Sequence, residues 1–143
     1  MSALQRLPVF AAALWWGSLT AVGAVVVPLL FVHLPTPALA GATAAKLFSA
    51  QTWIAIACGM LLLMLSRGRG SSASPGWAGG ALLFIAGGML AALLLEFAVA
   101  PRILARVNLP LWHGVGSAML LLQWLGAGVV LWKVADLRSG GPS

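Results

Sequence analysis

Glu96 is the only glutamate of the chain, and it lies inside the apolar segment AALLLEFAVAPRIL, residues 91–104. A carboxylate within an apolar helix costs several kcal/mol unless it is paired, neutral or hydrated. Gly88, Ala92 and Glu96 recur at intervals of four residues, so they share one face of a helix. Because small residues on a helix face let a second helix approach closely, we expect Glu96 to face other helices rather than lipid.

Lys46 is the first partner that we expect for Glu96. Counted from the ends of their apolar segments, the two residues lie at similar depth, and His113 lies at a comparable depth. The two side chains could form a structural ion pair that fixes helix packing, or the carboxylate could be a proton or ion site. A third interpretation is that Glu96 only extends its side chain to the membrane interface.

His33 and His113 are the candidates for metal ligation, because imidazole binds both copper and haem iron. Both lie at the ends of apolar segments near one surface, whereas cofactor sites of helix bundles are built in the bundle core. Cys58 and four methionines, Met60, Met64, Met89 and Met119, could bind Cu(I), but they lie at different depths. We predict no cofactor and keep a haem- or copper-binding redox membrane protein as the alternative. No nucleotide loop, CxxC, HExxH or GxSxG motif is present, so the sequence has no signature of an enzyme.

The composition places these residues in a membrane. The chain is 62% hydrophobic and 7% charged, with a mean hydropathy of +1.04, whereas soluble domains carry about 25% charged residues. Its basic residues are spread thinly, mostly at the ends of apolar segments, which argues against nucleic-acid binding. A lone strand would leave its backbone unpaired in lipid, so the sequence predicts an all-α, integral membrane four-helix bundle. The predicted spans are about 7–31, 38–66, 77–100 and 111–134, and 135–143 is a flexible tail of this single domain.

The lysines and arginines predict the orientation. With four spans, both termini lie on one side, and five basic residues lie there against three on the other side. The first group is Arg6, Arg67, Arg69, Lys133 and Arg138, and the second is Lys46, Arg102 and Arg106. Because cytoplasmic loops carry an excess of Lys and Arg, we expect both termini in the cytoplasm.

A polar pocket near the outer leaflet is the site that the sequence predicts. Its expected lining is Lys46, Gln51, Glu96, His113, Ser117 and Gln123. The function that we expect is a binding or transport-associated bundle, with a structural partner subunit without ligand as a further alternative. Four helices are few for a self-contained transporter, so a homo-oligomer or a partner membrane subunit in the lipid bilayer is also expected.

The two halves of the chain are similar to each other. The segment VVVPLLF ends the first span and AVAPRIL ends the third. Gln51 follows Pro28 by 23 residues, and Gln123 follows Pro101 by 22. The sequence therefore predicts two copies of one helical hairpin related by an axis along the membrane normal, although shared membrane composition alone could produce such a match.

Three segments carry a resemblance to a known family: VVVPLLFVHLP, AAKLFSAQTW and LWHGVGSAMLLLQ. With them the chain resembles small bacterial four-helix membrane proteins of unknown function that are related to eukaryotic transmembrane protein 205. The matching residues are Pro28, Lys46, Leu47, Phe48, His113 and Ser117. The resemblance implies a membrane bundle, hints at transport or trafficking, and assigns no catalytic residue. Because the family is bacterial, it also implies that the protein lies in a bacterial inner membrane. The chain also has a fainter likeness to copper-resistance membrane proteins and to a haem-pathway oxidase. It lacks the set of mid-membrane histidines that haem binding would need.

Overall fold

The computed structural model describes residues 3–67 and 77–136, and within them it contains four long helices and no strand. Each helix is long and apolar enough to cross a membrane, which confirms the predicted all-α, four-helix membrane fold. These four spans are Arg6–His33, Pro37–Ser66, Ala78–Leu104 and Leu109–Asp136. Ala135 and Asp136 belong to the fourth span, and the rest of the predicted tail lies outside the described residues.

The turn between the first two spans forms where the prolines predict it. Thr36 caps the second span, because its side chain accepts a hydrogen bond from the Leu39 backbone N–H at 3.2 Å. Pro37 occupies the first helical position, where a missing N–H leaves no helical bond unmade. The second span then runs for 30 residues. At 1.5 Å per residue it measures about 45 Å, so it extends well beyond a hydrocarbon core of about 30 Å.

The four spans form a ring of neighbours. The first and third spans each pack against the second and the fourth. We call the end of the bundle that holds residues 34–36 and 105–108 the turn end, and the opposite end the terminal end. Two hairpins related by an axis along the bundle would place the same spans next to each other.

A compact core fills the centre and the terminal half of the bundle. Its largest fully buried side chains are one from each span: Trp15, Leu62, Ile85 and Val130. The Trp15 indole crosses the bundle and packs against Gly88 of the third span. Large apolar side chains also cover the outside, as a surface in contact with lipid requires.

The first and third spans share an irregular segment just before a proline. Ala21–Val26 and Leu95–Val99 are π-helical and precede Pro28 and Pro101. Proline lacks an N–H group, and its ring clashes with the carbonyl four residues earlier. The wider π turn, in which N–H groups bond five residues back, absorbs this defect. The two halves of the chain therefore have the same local structure at matching positions.

The connection between the third and fourth spans contains an arginine whose backbone is in the left-handed conformation. Arg106 has a φ of 55°. Its N–H donates to Ile103 O at 3.1 Å, and the Val107 N–H donates to Arg102 O at 3.0 Å. This pair of bonds is the Schellman motif, in which glycine is the usual left-handed residue.

Replacing Arg106 by glycine should therefore stabilise the bundle. A side chain in the left-handed conformation costs about 1–2 kcal/mol, so we expect Arg106→Gly to raise the free energy of unfolding in detergent by about 1 kcal/mol. Asn108, with a φ of 42°, is the matched control. Asparagine tolerates this conformation better than arginine, so Asn108→Gly should change stability less. A loss of stability in Arg106→Gly would mean that the arginine side chain itself holds the turn.

Candidate functional site

An open cleft of about 470 Å³ lies between the second and third spans, in the half of the bundle nearest the turn end. Its three polar members are Lys46, Ser49 and Glu96. Small or apolar residues complete the lining, namely Ala42, Ala45, Ala100, Pro101 and Leu104. The cleft thus combines a cation, a hydroxyl and a carboxylate with walls of small side chains.

The side chain of Glu96 is hydrogen-bonded to a serine of the second span. The Ser49 hydroxyl donates a hydrogen bond to Glu96 Oε1 at 2.7 Å, and the carboxylate is half-buried. No salt bridge joins Glu96 to a lysine or arginine in residues 3–67 and 77–136. The expected first partner, Lys46, is exposed and lines the same cleft without pairing with the carboxylate. The partner that the sequence missed is Ser49, one helical turn after Lys46.

The π turn of the third span shapes this site. Glu96 is the second residue of Leu95–Val99, and Pro101 lies one turn further on at the wall of the cleft. Gly88 and Ala92 are buried, as their shared face predicts, whereas Glu96 lies at the edge of the helix interface. Such π segments frequently mark functional sites in helices, because they turn one side chain out of the regular helical register.

Removing the Ser49 hydroxyl tests how much it supports the carboxylate. Ser49→Ala leaves Glu96 Oε1 without its donor, so we expect the free energy of unfolding to fall by about 1.5 kcal/mol. The matched control is Thr43→Val on the same helix, because the Thr43 hydroxyl bonds only to Leu39 O of its own helix. Thermal unfolding in detergent measures both variants. Equal effects for the two would show that the Ser49–Glu96 bond adds no stability.

Gln51 and Gln123 lie in two other helix interfaces. Gln51 Nε2 donates to Ser18 Oγ at 3.0 Å between the second and first spans, and Ser18 Oγ donates to Trp15 O. Gln123 Nε2 donates to Gly88 O at 3.2 Å between the fourth and third spans. Each glutamine is only 3% exposed. The structure thus brings Lys46 and Glu96 together in the cleft and places both glutamines elsewhere.

The residues that follow the two glutamines connect the remaining interfaces. Thr52 Oγ1 lies 3.4 Å from Ala92 O of the third span. Trp124 Nε1 donates to Thr20 Oγ1 of the first span at 2.8 Å. Gln51, Thr52, Gln123 and Trp124 therefore give every interface of the ring an interhelical contact near the middle of the spans. We call these four residues and their acceptors the polar belt.

Four serine and threonine side chains that the sequence did not single out connect the helices, and one of them, Ser49, lines the cleft. Ser18, Thr20, Ser49 and Thr52 all make interhelical hydrogen bonds. Hydroxyl residues inside apolar spans commonly bond across helices, and this was the signal in the sequence that could have found them.

The histidines lie on the outside of the bundle. His33 ends the first span, His113 lies in the first turns of the fourth, and Ser117 follows one turn later; all three are exposed. Within the described part of the chain, no group of three or more His, Cys, Asp or Glu side chains is placed to hold a metal ion.

The matching place in the other half of the ring has no polar side chain. Glu96 precedes Pro101 by five residues, and the residue five positions before Pro28 is Gly23. A Cβ atom at Gly23 would lie 3.4 Å from Leu120 Cδ2, so an apolar side chain of the fourth span fills this place. A second groove, of about 530 Å³ between the first and fourth spans toward the terminal end, is lined by tryptophan and aliphatic side chains such as Trp16, Trp124 and Val129. The combination of Lys46, Ser49 and Glu96 belongs to one half only.

A family model described as Domain of unknown function (DUF4149) matches residues 10–108 of the chain. The match covers more than half of the sequence and includes both walls of the cleft. It ends just before the fourth span begins at Leu109. No curated protein and no solved structure matches the chain at a significant level. The resemblance to transmembrane protein 205 therefore stays a prediction.

Proposed function

The chain belongs to the DUF4149 family of domains of unknown function, and we propose that it is a binding protein for a membrane amphiphile. The polar headgroup of this molecule would occupy the cleft between the second and third spans. In this proposal the protein is the binding component of a transport or trafficking process.

The observation that carries the proposal is the environment of Glu96. Its carboxylate lies within a membrane span, is oriented by the Ser49 hydroxyl, and has no cationic partner among residues 3–67 and 77–136. An unpaired carboxylate at this depth lowers stability, and residues that break a packing rule in this way are expected at functional sites. A ligand that donates hydrogen bonds or carries positive charge would balance it.

The position of the cleft favours a ligand that reaches it from the bilayer. The cleft opens between two adjacent spans, and most of its wall is alanine, proline and leucine. Glu96 precedes the end of the third span, Leu104, by eight residues. At 1.5 Å per residue this is about 12 Å along the helix, which is near the boundary between headgroups and hydrocarbon.

Mass spectrometry of the purified protein tests the proposal. Wild-type protein in mild detergent should retain a copurified amphiphile, and the double variant Lys46→Met with Glu96→Gln should lose it. Each hydrogen bond to a charged group contributes about 1.5–3 kcal/mol, so we expect retention to fall at least about tenfold. Thr43→Val, at similar depth on the second span but outside the cleft, is the control and should retain the wild-type amount. Equal retention in the double variant would disprove the proposal.

We also propose that both termini face the cytoplasm of a bacterial cell. Arg6, Arg67 and Lys133 support this at the terminal end, and Arg69 and Arg138, which complete the predicted charge bias, lie outside the described residues. In a Cys58→Ala background, a membrane-impermeant maleimide added to intact cells should label Asn108→Cys at the turn end. It should not label Ser72→Cys until the membrane is opened. The opposite labelling pattern would reverse the orientation.

A further inference from the structure

We propose that the headgroup bound in the cleft carries a primary ammonium beside a phosphate, so that the ligand is a phospholipid of the phosphatidylethanolamine type. This inference rests on the proposed function and specifies its ligand. It follows from the chemistry of three side chains, Lys46, Ser49 and Glu96, and from what the cleft lacks.

The carboxylate selects a hydrogen-bonding cation. Ser49 occupies one acceptor position of Glu96 Oε1. A carboxylate offers about four such positions, so the others are available to a ligand. A primary ammonium has three N–H donors and can use them. A quaternary ammonium has none and is bound in proteins by aromatic faces, yet none of the described residues that line this cleft is aromatic.

The lysine selects the anionic part of the same headgroup. Lys46 is exposed, lies in the same cleft, and is one helical turn from Ser49. Lysine binds phosphate as a point charge. In a phosphoethanolamine headgroup only two carbons separate the phosphate from the ammonium, so one headgroup can contact two neighbouring residues of opposite charge.

Charge balance and the ability to donate hydrogen bonds together separate this headgroup from its common alternatives. A zwitterionic headgroup between Lys46 and Glu96 gives a site in which every charge has a partner, which limits the energy of removing these charges from water. A glycerol headgroup carries a phosphate but no cation, so it leaves Glu96 unbalanced. A choline headgroup balances the charge but cannot donate to the carboxylate.

The walls of the cleft favour a lipid over a free solute. Ala42, Ala45 and Ala100 leave space beside the polar groups, and Leu104 and Pro101 continue the wall as an apolar surface. The acyl chains can stay among the surrounding lipid tails while only the headgroup enters the cleft. A water-soluble phosphoethanolamine would gain nothing from such an apolar surface.

Lipid titration of delipidated protein, followed by native mass spectrometry, tests the inference. Phosphatidylethanolamine, phosphatidylcholine and phosphatidylglycerol with identical acyl chains are added separately to the wild type. We expect phosphatidylethanolamine to bind at least about tenfold more tightly than the other two, the equivalent of one charged hydrogen bond. Glu96→Gln keeps the size of the side chain but removes its charge, and it should abolish this preference. Lys46→Met should weaken all three lipids, and Thr43→Val should change nothing.

Each other outcome has a distinct meaning. If phosphatidylglycerol or phosphatidylcholine binds as tightly as phosphatidylethanolamine, and binding still depends on Lys46 and Glu96, the amphiphile-binding function stands and the ammonium inference is overturned. If free phosphoethanolamine displaces the lipid at equal concentration, the lipid source is overturned. If none of the three lipids binds in a manner that depends on Lys46 or Glu96, the phosphatidylethanolamine inference is overturned, and the proposed function fails as well if the wild type retains no copurified amphiphile.

Discussion

Gly88→Ala should lower the free energy of unfolding of the bundle by about 3 kcal/mol, the upper end of the usual effect of overpacking a core. A Cβ atom at Gly88 would lie 2.6 Å from Cη2 and Cζ2 of the Trp15 indole. Trp15 is fully buried in the centre of the bundle, so its rigid ring has no space into which it can move. At Gly59 the neighbour is the flexible side chain of Met89, so Gly59→Ala should be less destabilising.

The adjacent residue provides the control for this prediction. Gly87 lies on the outer face of the same helix, and a Cβ atom there would meet nothing within 4 Å. Because alanine favours helix formation over glycine, Gly87→Ala should leave stability unchanged or raise it slightly. Unfolding of both variants in detergent by increasing denaturant measures the difference. Similar stabilities for the two variants would show that the Trp15 ring does not pack tightly against Gly88.

Trp15 and Gly88 differ in size for a structural reason. The spacing of 73 residues that relates Pro28 to Pro101 also relates Trp15 to Gly88. If the two hairpins are copies around a central axis, these positions face each other across it, and only one of them has room for a large side chain. The backbone carbonyls of Trp15 and Gly88 are also each connected to a glutamine. Gln123 donates directly to Gly88 O, and Gln51 donates to the Ser18 hydroxyl, which in turn donates to Trp15 O.

Glu96→Leu should raise the free energy of unfolding of the delipidated protein by about 2 kcal/mol, because it removes an unpaired carboxylate from a membrane span. The Ser49 hydroxyl then loses its acceptor, but serine in a helix can bond to a carbonyl of its own preceding turn. The same variant should no longer retain the amphiphile. Greater stability combined with lost binding is the expected behaviour of a residue kept for function.

Gln123→Leu is the matched control for the glutamate. It also replaces a polar residue by leucine, but Gln123 bonds to Gly88 O and belongs to the polar belt. Interhelical hydrogen bonds in membranes contribute about 0.6 kcal/mol on average, so this variant should be slightly less stable than the wild type. Thermal unfolding after delipidation compares the two leucine variants directly. If Glu96→Leu is destabilising to a similar degree, the glutamate stabilises helix packing and is not kept for binding.

The sequence predicted the four spans because their signals are local. Apolar length alone identifies a membrane helix, and Pro35 and Pro37 end one span and begin the next. The π turns before Pro28 and Pro101 were not predicted, although they follow from proline chemistry. A proline defect can be absorbed by a kink, a break or a wider turn, and the choice depends on the neighbouring helices.

The composition of the site was harder to predict, because it depends on how each helix is rotated. In a soluble protein the apolar stripe of a helix identifies its inner face, but these spans are apolar on all sides. Depth along the membrane could be counted, and it grouped Lys46 with Glu96, which line one cleft. The rotation of each helix about its own axis could not be derived from the sequence. Gln51 and Gln123 were therefore grouped with Lys46 and Glu96, although the two glutamines face other helix interfaces.

The polar belt divides the bundle into two halves of different character. The cleft lies in the half next to the turns, and the buried side chains of Leu62, Ile85 and Val130 pack inside the opposite half. The headgroup that we propose for the cleft would therefore be separated from the terminal end by this packed core. In the proposed function, this ligand would leave the cleft by the side between the second and third spans, and not along the axis of the bundle.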